Sequence, residues 1–183
     1  QKGIVHRDLK PENIMIGAHG EVLVVDWGIA KILNEEEIVL SALEGFSNID
    51  TKTQVGQVTG TPAYMSPEQA EGRVDEIDVR SDIYTLGVIL LEILTGKTPS
   101  KETRHHLTQN HTTESAIVSA PAEVVEMLQK TRALPPSLQR ICLQCIQKDP
   151  EKRFQNAHDL AHDIQDFLDG AQRREQALQI VEK

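Results

Sequence analysis

Apolar positions near the start of the chain form two short continuous runs. The segments 14–16 and 22–25 are apolar throughout and are separated by a turn that contains Gly17 and Gly20. Short apolar runs on either side of glycines are typical of a β-hairpin. The pattern therefore predicts two antiparallel strands near the start of the chain.

Beyond residue 80 the apolar positions recur at helical spacing. The segment 83–94 is apolar on nearly every side, with Ser81 or Asp82 as its predicted N-cap and Gly96 as its stop. A helix of this kind is normally buried at the centre of a helical domain. Further helices are predicted near 121–131, 137–147 and 157–168.

The remaining segments are polar and lack a sustained period. Residues 34–60 and 97–120 are predicted to be loops, the first with a short helix at 38–43. Gly170 is expected to end the last helix, which leaves 170–183 as a charged linker or helical tail. The predicted fold class is mostly α, a helical bundle with a small β-hairpin.

Composition and charge exclude several classes of protein. The 183 residues carry 19 basic and 28 acidic side chains, a net charge of −9, which disfavours a nucleic-acid partner. The longest apolar stretch, 86–94, contains Glu92 and is far shorter than the ~20 residues of a membrane span, so no membrane segment is predicted. Because the chain starts with Gln1 and not Met, we expect it to be a piece of a longer protein.

The two cysteines, Cys142 and Cys145, form one C-x-x-C pair. A single pair cannot supply the four ligands of a structural zinc site. Both cysteines lie on the apolar stripe of a predicted helix, and buried free cysteines are common in cores. We therefore expect them to be core residues.

One loop and one strand end carry a set of polar residues that suits phosphoryl transfer. Asp8, Lys10 and Asn13 lie within the octapeptide H-R-D-L-K-P-E-N, and Asp26 follows an apolar strand 18 residues after Asp8. A carboxylate can take a proton from a hydroxyl, and a lysine can hold a transferred phosphoryl group. An amide and a second carboxylate are oxygen ligands that suit Mg²⁺.

These motifs resemble the signatures of protein kinases. Residues 6–13 match the catalytic loop H-R-D-L-x-x-x-N, 26–28 match D-F-G with Trp27 in place of Phe, and 66–68 match A-P-E as S-P-E. Lys10 and the segment 60–68 point to serine/threonine kinases.

The sequence of later segments is similar to that of bacterial Hanks-type (eukaryotic-like) kinases. The similarity lies in Ser66-Pro67-Glu68-Gln69 and in the segments 78–84 and 148–154. The resemblance extends from Gln1 to about Leu168.

The resemblance implies roles for the residues of the catalytic loop and hairpin. Asp8 would be the base or orienter of the substrate hydroxyl, and Lys10 would steady the γ-phosphate of ATP. Asn13 and Asp26 would hold Mg²⁺ or Mn²⁺. Met15 would lie beneath the adenine.

The resemblance also implies how protein substrates are handled. Thr61 would bond Asp8 and Lys10, which is the family's mark of serine/threonine specificity. The segment from Pro62 to Met65, with Tyr64, would line the groove that receives the substrate.

Other residues resemble structural parts of a kinase. Glu68 and Arg153 would form a buried ion pair that ties the activation segment to the helical core. Asp82 would bind backbone near His6 and Arg7, which makes His6 a structural residue.

Regulation by phosphorylation is also implied. Arg7 directly before Asp8 and Lys31 resemble the basic contacts of a phosphothreonine, and an arginine pairs well with a phosphate. Thr51 and Thr53 are the candidate acceptors. The alternative is that they belong to a solvated serine/threonine-rich loop.

The domain prediction is a kinase larger lobe at 1–169, with an activation segment at 26–68 that is longer than usual. The sequence contains no G-x-G and no strand lysine, which in the family belong to the smaller lobe. We therefore expect the chain alone neither to bind ATP tightly nor to transfer phosphate.

The predicted function is serine/threonine protein phosphorylation by the intact parent protein. The resemblance implies a cytoplasmic reaction and allows activation through a kinase homodimer. A truncated, non-catalytic kinase that acts as a binding module is the alternative. A small-molecule phosphotransferase is a third hypothesis, which Lys10, Thr61 and the segment 66–68 weigh against.

Overall fold

The computed structural model describes residues 3–28, 30–32, 61–97, 122–131 and 134–181. Five α-helices lie in these ranges: α1 (Pro67–Ala70), α2 (Val79–Thr95), α3 (Ala122–Lys130), α4 (Pro136–Cys145) and α5 (Ala157–Val181). The four strands there are β1 (Ile4–Val5), β2 (Ile14–Ile16), β3 (Val22–Val24) and β4 (Lys31–Ile32). Single 3₁₀ turns are formed by Pro11–Asn13, Val74–Glu76 and Pro150–Lys152.

The predicted hairpin is present. Strands β2 and β3 pair antiparallel, with Ile14 opposite Val24. The turn between them needs Gly20, whose φ of 84° is unfavourable for a side chain. The antiparallel pair of β1 and β4 was not predicted, because two-residue strands leave no periodic pattern.

Helix α2 crosses the centre of the domain and packs against α3, α4 and α5. It ends at Gly96 as predicted, in the left-handed conformation with φ 67°. The predicted N-cap at Ser81 or Asp82 is wrong, because the Asp78 carboxylate accepts from the backbone N–H of Arg80 at 2.8 Å. Asp78 also pairs with the Arg80 guanidinium, so the helix begins one turn earlier.

The core is mostly aliphatic and lies between α2 and the helices around it. Cys142 and Cys145 are fully buried free cysteines, as predicted, and burial raises the pKa of the Cys142 thiol to about 12. The other fully buried apolar side chains of this core cluster are all aliphatic: Ile83, Leu91, Val124, Leu128, Ile141 and Ile146.

Helix α5 runs without a break through Gly170, so the predicted helix end at that residue is wrong. A glycine inside a helix costs only about 1 kcal/mol, and Ala171 and Gln172 after it favour the helix. None of the described helices has the length and apolar character needed to cross a membrane. The loops predicted at 34–60 and 97–120, and the helix at 38–43, lie outside the described residues except for Lys97.

Two glycine substitutions test the helix packing. A Cβ on Gly87 of α2 would overlap the Cβ of Cys145 and lie 2.8 Å from Cγ2 of Ile146, whereas a Cβ on Gly170 would meet nothing. We expect Gly87→Ala to lower the free energy of unfolding by about 1–3 kcal/mol through overpacking. Gly170→Ala should raise it by roughly 0.5–1 kcal/mol. Urea denaturation measures both, and a neutral Gly87→Ala would contradict the packing of α2 on α4.

Candidate active site

The loop 6–13 passes through a left-handed turn at Arg7. Its φ is 68°, a conformation that costs a non-glycine residue roughly 1–2 kcal/mol. The Asp82 carboxylate of α2 accepts from the backbone N–H of His6 at 2.7 Å and of Arg7 at 3.0 Å. These bonds fix the entrance of the loop to the central helix. Burial raises the pKa of Asp82 above its usual range in spite of the two donors.

His6 is a structural residue in this geometry. Its ring is buried, with Nε2 3.1 Å from the carbonyl oxygen of Val25 and Nδ1 accepting from the backbone N–H of Asp8 at 3.3 Å. A neutral ring protonated at Nε2 satisfies both partners. Both nitrogens are therefore engaged by the backbone.

Asp8, Lys10 and Thr61 form one hydrogen-bonded group. The Lys10 ammonium donates to Asp8 Oδ2 at 2.9 Å and to Thr61 Oγ1 at 3.0 Å, and the Thr61 N–H donates to Asp8 Oδ1 at 2.7 Å. Burial acts to raise the pKa of Asp8, but the bonds from Lys10 and Thr61 outweigh it and lower that pKa. The bond to Asp8 raises the pKa of Lys10. At neutral pH the group holds an ionised carboxylate beside an ammonium.

Asn13 and Asp26 lie at the same end of the hairpin. The Asn13 carbonyl accepts from the N–H of Val25 at 2.9 Å, which places Asp26 one residue further along. The Asn13 Nδ2 donates to the carbonyl of Asp8 at 2.9 Å, so its Oδ1 is the atom left for a ligand. The charge of Asp26 also acts on Lys10. The loop 6–13, the strand end at Asp26 and the segment at Thr61 thus converge on one site.

These oxygen donors fit Mg²⁺. Magnesium in phosphate sites takes one or two carboxylates and completes its shell with phosphate oxygens and water. Among the described residues no three His, Cys, Asp or Glu side chains gather as a metal cluster. One amide and one carboxylate therefore suit a metal that is shared with a phosphate, and not a closed protein site.

The segment after Thr61 is tied to α2. The Tyr64 hydroxyl donates to Glu92 Oε2 at 2.8 Å, and the Thr85 hydroxyl donates to the Tyr64 carbonyl at 2.9 Å. Pro62 is exposed beside them. Glu92 was not predicted as a site residue, although a lone carboxylate in an apolar helix was the available signal.

Glu68 and Arg153 form a buried two-pronged ion pair. The distances are 2.8 Å from Nη1 to Oε1 and 2.9 Å from Nη2 to Oε2, and neither side chain is more than 1% exposed. Ser81 donates to the same carboxylate at 2.7 Å. The other guanidinium N–H groups donate to the carbonyls of Arg80, Gln147 and Lys148. Burial acts to raise the pKa of Glu68, but the bonds from Arg153 and Ser81 outweigh burial and lower that pKa.

Comparison with protein families assigns the chain. The model of the protein kinase domain matches residues 1–164, nearly the whole chain. The chain belongs to the protein kinase family. The resemblance drawn from the catalytic loop is thereby confirmed at the level of the family, together with the mostly helical fold class.

The kinase chain is similar to bacterial serine/threonine-protein kinases. It is 39% identical over 176 residues to PknD of Protochlamydia amoebophila and 37% identical over 177 residues to PknD of Chlamydia muridarum. It is 35% identical over 172 residues to the probable kinase PknB of Bifidobacterium longum. Each alignment covers 92% of this chain but only 17%, 18% and 21% of the relatives in turn. The chain spans about a fifth of the length of these relatives.

Trp27 departs from the D-F-G pattern of the kinase family and gains a hydrogen bond. Its indole N–H donates to the Val24 carbonyl at 2.9 Å, which a phenylalanine could not do. The ring still contacts His6, with centroids 4.7 Å apart.

Met15, the residue expected beneath adenine, is 56% exposed on β2.

The residues expected to regulate the kinase are described only in part. The backbone of Lys31 pairs with Val5 in the sheet of β1 and β4, and Arg7 has the strained backbone described above. Thr51 and Thr53 lie outside the described residues. The binding of a phosphothreonine by this kinase stays a prediction.

The ion pair makes a prediction about stability and pH. Glu68 has a lowered pKa in the folded state, so its contribution is complete above its ordinary value of 4.5 and is lost as the pH falls through the folded value. Arg153→Met leaves the carboxylate buried and unpaired and should cost about 3–5 kcal/mol at neutral pH. In the variant the bond from Ser81 is left to oppose burial, so Glu68 protonates more readily than in the wild type and the deficit should shrink as the pH falls toward and below 4.5.

Urea denaturation from neutral to acid pH measures this deficit. Arg140→Met is the matched control, because Arg140 pairs with Asp163 at the surface and is 58% exposed. Its loss should cost at most about 1 kcal/mol. Equal costs for the two variants, or a deficit at Arg153 that does not change with pH, would contradict the buried pair.

Proposed function

We propose that this chain carries the catalytic residues of a serine/threonine protein kinase, which transfers the γ-phosphate of ATP to serine and threonine hydroxyls of proteins. The observation that supports this most directly is the hydrogen-bonded group of Asp8, Lys10 and Thr61. It combines an acceptor for a hydroxyl proton with a cation for a transferred phosphoryl group.

Asp8 acts as the base or orienter of the substrate hydroxyl. Its lowered pKa keeps the carboxylate ionised at neutral pH, and its Oδ atoms are held by Thr61 and Lys10. The Lys10 ammonium has three N–H donors and uses two of them for Asp8 and Thr61, so it can also donate to phosphate oxygens that arrive beside it. Positioning and charge are the main contributions that a protein makes to phosphoryl transfer.

Asn13 and Asp26 hold the metal. Asn13 is anchored through Nδ2 and offers Oδ1, while Asp26 offers its carboxylate from the adjoining strand end. Mg²⁺ or Mn²⁺ bound there supplies positive charge to the phosphate oxygens of ATP. Met15 presents an exposed apolar side chain on the same hairpin, which suits the face of an adenine ring.

The substrate and its regulation follow from the same segments. The exposed Pro62 and the buried Tyr64 follow Thr61, which is bonded to Asp8, and we assign the approach of the protein hydroxyl to this segment. Phosphorylation of Thr51 or Thr53 by a second kinase copy, read by Arg7 and Lys31, is the activation route that we propose. The use of ATP favours a cytoplasmic reaction.

Asp8→Asn in the protein at its natural full length should lower kcat by about 10²–10⁴-fold, the usual contribution of a positioned acid or base. Transfer of labelled phosphate from ATP to a generic serine/threonine-containing protein measures it. Asp166→Asn, at an exposed carboxylate of α5, should leave kcat unchanged. Undiminished labelling with Asp8→Asn would favour the alternative of a non-catalytic binding module.

Asp26→Ala should abolish labelling at ordinary magnesium concentrations, because it removes the only carboxylate that we assign to the metal. Asn13→Ala leaves that carboxylate in place. It should raise the magnesium concentration needed for half-maximal activity. Titration of the activity with Mg²⁺ separates the two variants, and unchanged magnesium dependence in both would refute the assigned ligands.

A further inference from the structure

The peptide between Arg7 and Asp8 is restrained at both of its polar atoms. Its carbonyl oxygen accepts from Nε2 of Gln69 at 2.7 Å, and its N–H donates to Nδ1 of His6 at 3.3 Å. A peptide group is planar, so two such bonds fix its orientation. The peptide from which Asp8 starts is thereby held in one orientation.

The Gln69 side chain is itself held in one orientation. It is 4% exposed, and its Oε1 accepts from both the backbone N–H and the hydroxyl of Ser66, at 3.1 and 3.0 Å. Ser66 is the N-cap of α1, and Gln69 completes a capping box. The carbonyl of Arg7 requires a donor, while the N–H of Ser66 requires an acceptor. An amide with Nε2 toward Arg7 meets both needs at neutral pH, whereas an ionised carboxylate does not.

We propose that Gln69 is a positioning residue for Asp8, an inference that rests on the function proposed above. It joins α1 to the strained turn at Arg7, which persists only where its surroundings hold it. The residue before Gln69 is Glu68, which the buried Arg153 fixes. The order of the segment 61–70 is thus transmitted to the catalytic carboxylate through a hydrogen bond to the backbone.

The same segment reaches Asp8 a second time through Thr61. Thr61 holds the end of the Asp8 side chain, whereas Gln69 holds the peptide from which that side chain starts. The two contacts act on different ends of one residue. Loss of the bond from Gln69 should therefore impair the catalytic step more than the binding of ATP.

Gln69→Glu tests this role at a single atom. The carboxylate keeps an acceptor for Ser66, but it places an oxygen in place of Nε2 against the Arg7 carbonyl. At neutral pH we expect kcat of the full-length protein to fall about tenfold, with KM for ATP unchanged. Hydrogen–deuterium exchange, followed by mass spectrometry, should be about tenfold faster at the amides of Arg7 and Asp8.

Acid should reverse the effect of Gln69→Glu, because the introduced carboxyl group again has a donor once it is protonated. The titratable groups His6, Asp8, Glu68 and Asp82 lie near this contact in both proteins, so the ratio of the variant's exchange rate and kcat to those of the wild type is compared at each pH. That ratio should return toward one as the pH falls. Gln69→Met, which has no donor at any pH, should show the same loss without the recovery.

Gln139→Glu is the matched control. Gln139 of α4 also donates from Nε2 to a backbone carbonyl, that of Leu134 at 3.0 Å. This variant loses a bond of the same kind away from the loop and should leave exchange at Arg7 and Asp8 unchanged.

Three results would overturn the proposal. The first is exchange at Arg7 and Asp8 at the wild-type rate in both Gln69 variants. The second is exchange as fast in Gln139→Glu as in Gln69→Glu. The third is that the ratio of Gln69→Glu to wild type does not return toward one in acid. If Gln69→Glu fails to fold, as judged by circular dichroism, the exchange of Gln69→Met against Gln139→Glu decides. A wild-type protein that transfers no phosphate would refute the proposed function alone, since the exchange data test the positioning of Asp8 without it.

Discussion

Restraint of the peptide between Arg7 and Asp8 is the condition on which the rest of the site depends. A left-handed turn at an arginine is unfavourable by itself, so side chains from other elements must hold it. The Asp82 carboxylate accepts from the N–H of Arg7, just before this peptide. Within the peptide, the carbonyl of Arg7 accepts from Gln69 and the N–H of Asp8 donates to His6. With the peptide fixed, the Asp8 carboxylate meets both Thr61 and Lys10. The geometry of the loop is therefore a tertiary property of the domain.

The buried ion pair of Glu68 and Arg153 also stabilises this arrangement. A charge pair without water is costly unless its hydrogen-bonding groups are satisfied. Here all five guanidinium N–H groups have acceptors, and the carboxylate has a further donor in Ser81. The pair joins α1 to α2 and to the turn before α5. It fixes the helix that carries Gln69.

Local pattern predicted the parts of the fold that depend on local chemistry. The hairpin, the end of α2 at Gly96 and the burial of the cysteines all followed from turn residues and periodicity. The N-cap and the end of α5 were wrong, because three polar residues compete to cap α2 and a glycine alone does not stop a helix. Family motifs indicated the residues at 8, 10, 13 and 26. The bonds from Gln69 to Arg7 and from Tyr64 to Glu92 join distant segments, and no spacing in the sequence reveals them.

A crystal structure of the Asp82→Asn variant is the most direct test of the claim that distant side chains set the catalytic loop. Asparagine has the shape of aspartate, but the N–H groups of His6 and Arg7 bind different oxygens of Asp82, so in the variant one of them faces an NH2 group, which cannot accept. The account predicts that Arg7 leaves the left-handed region and that Asp8 Oδ1 loses its bond to the N–H of Thr61. An unchanged turn at Arg7 with that bond intact would contradict it.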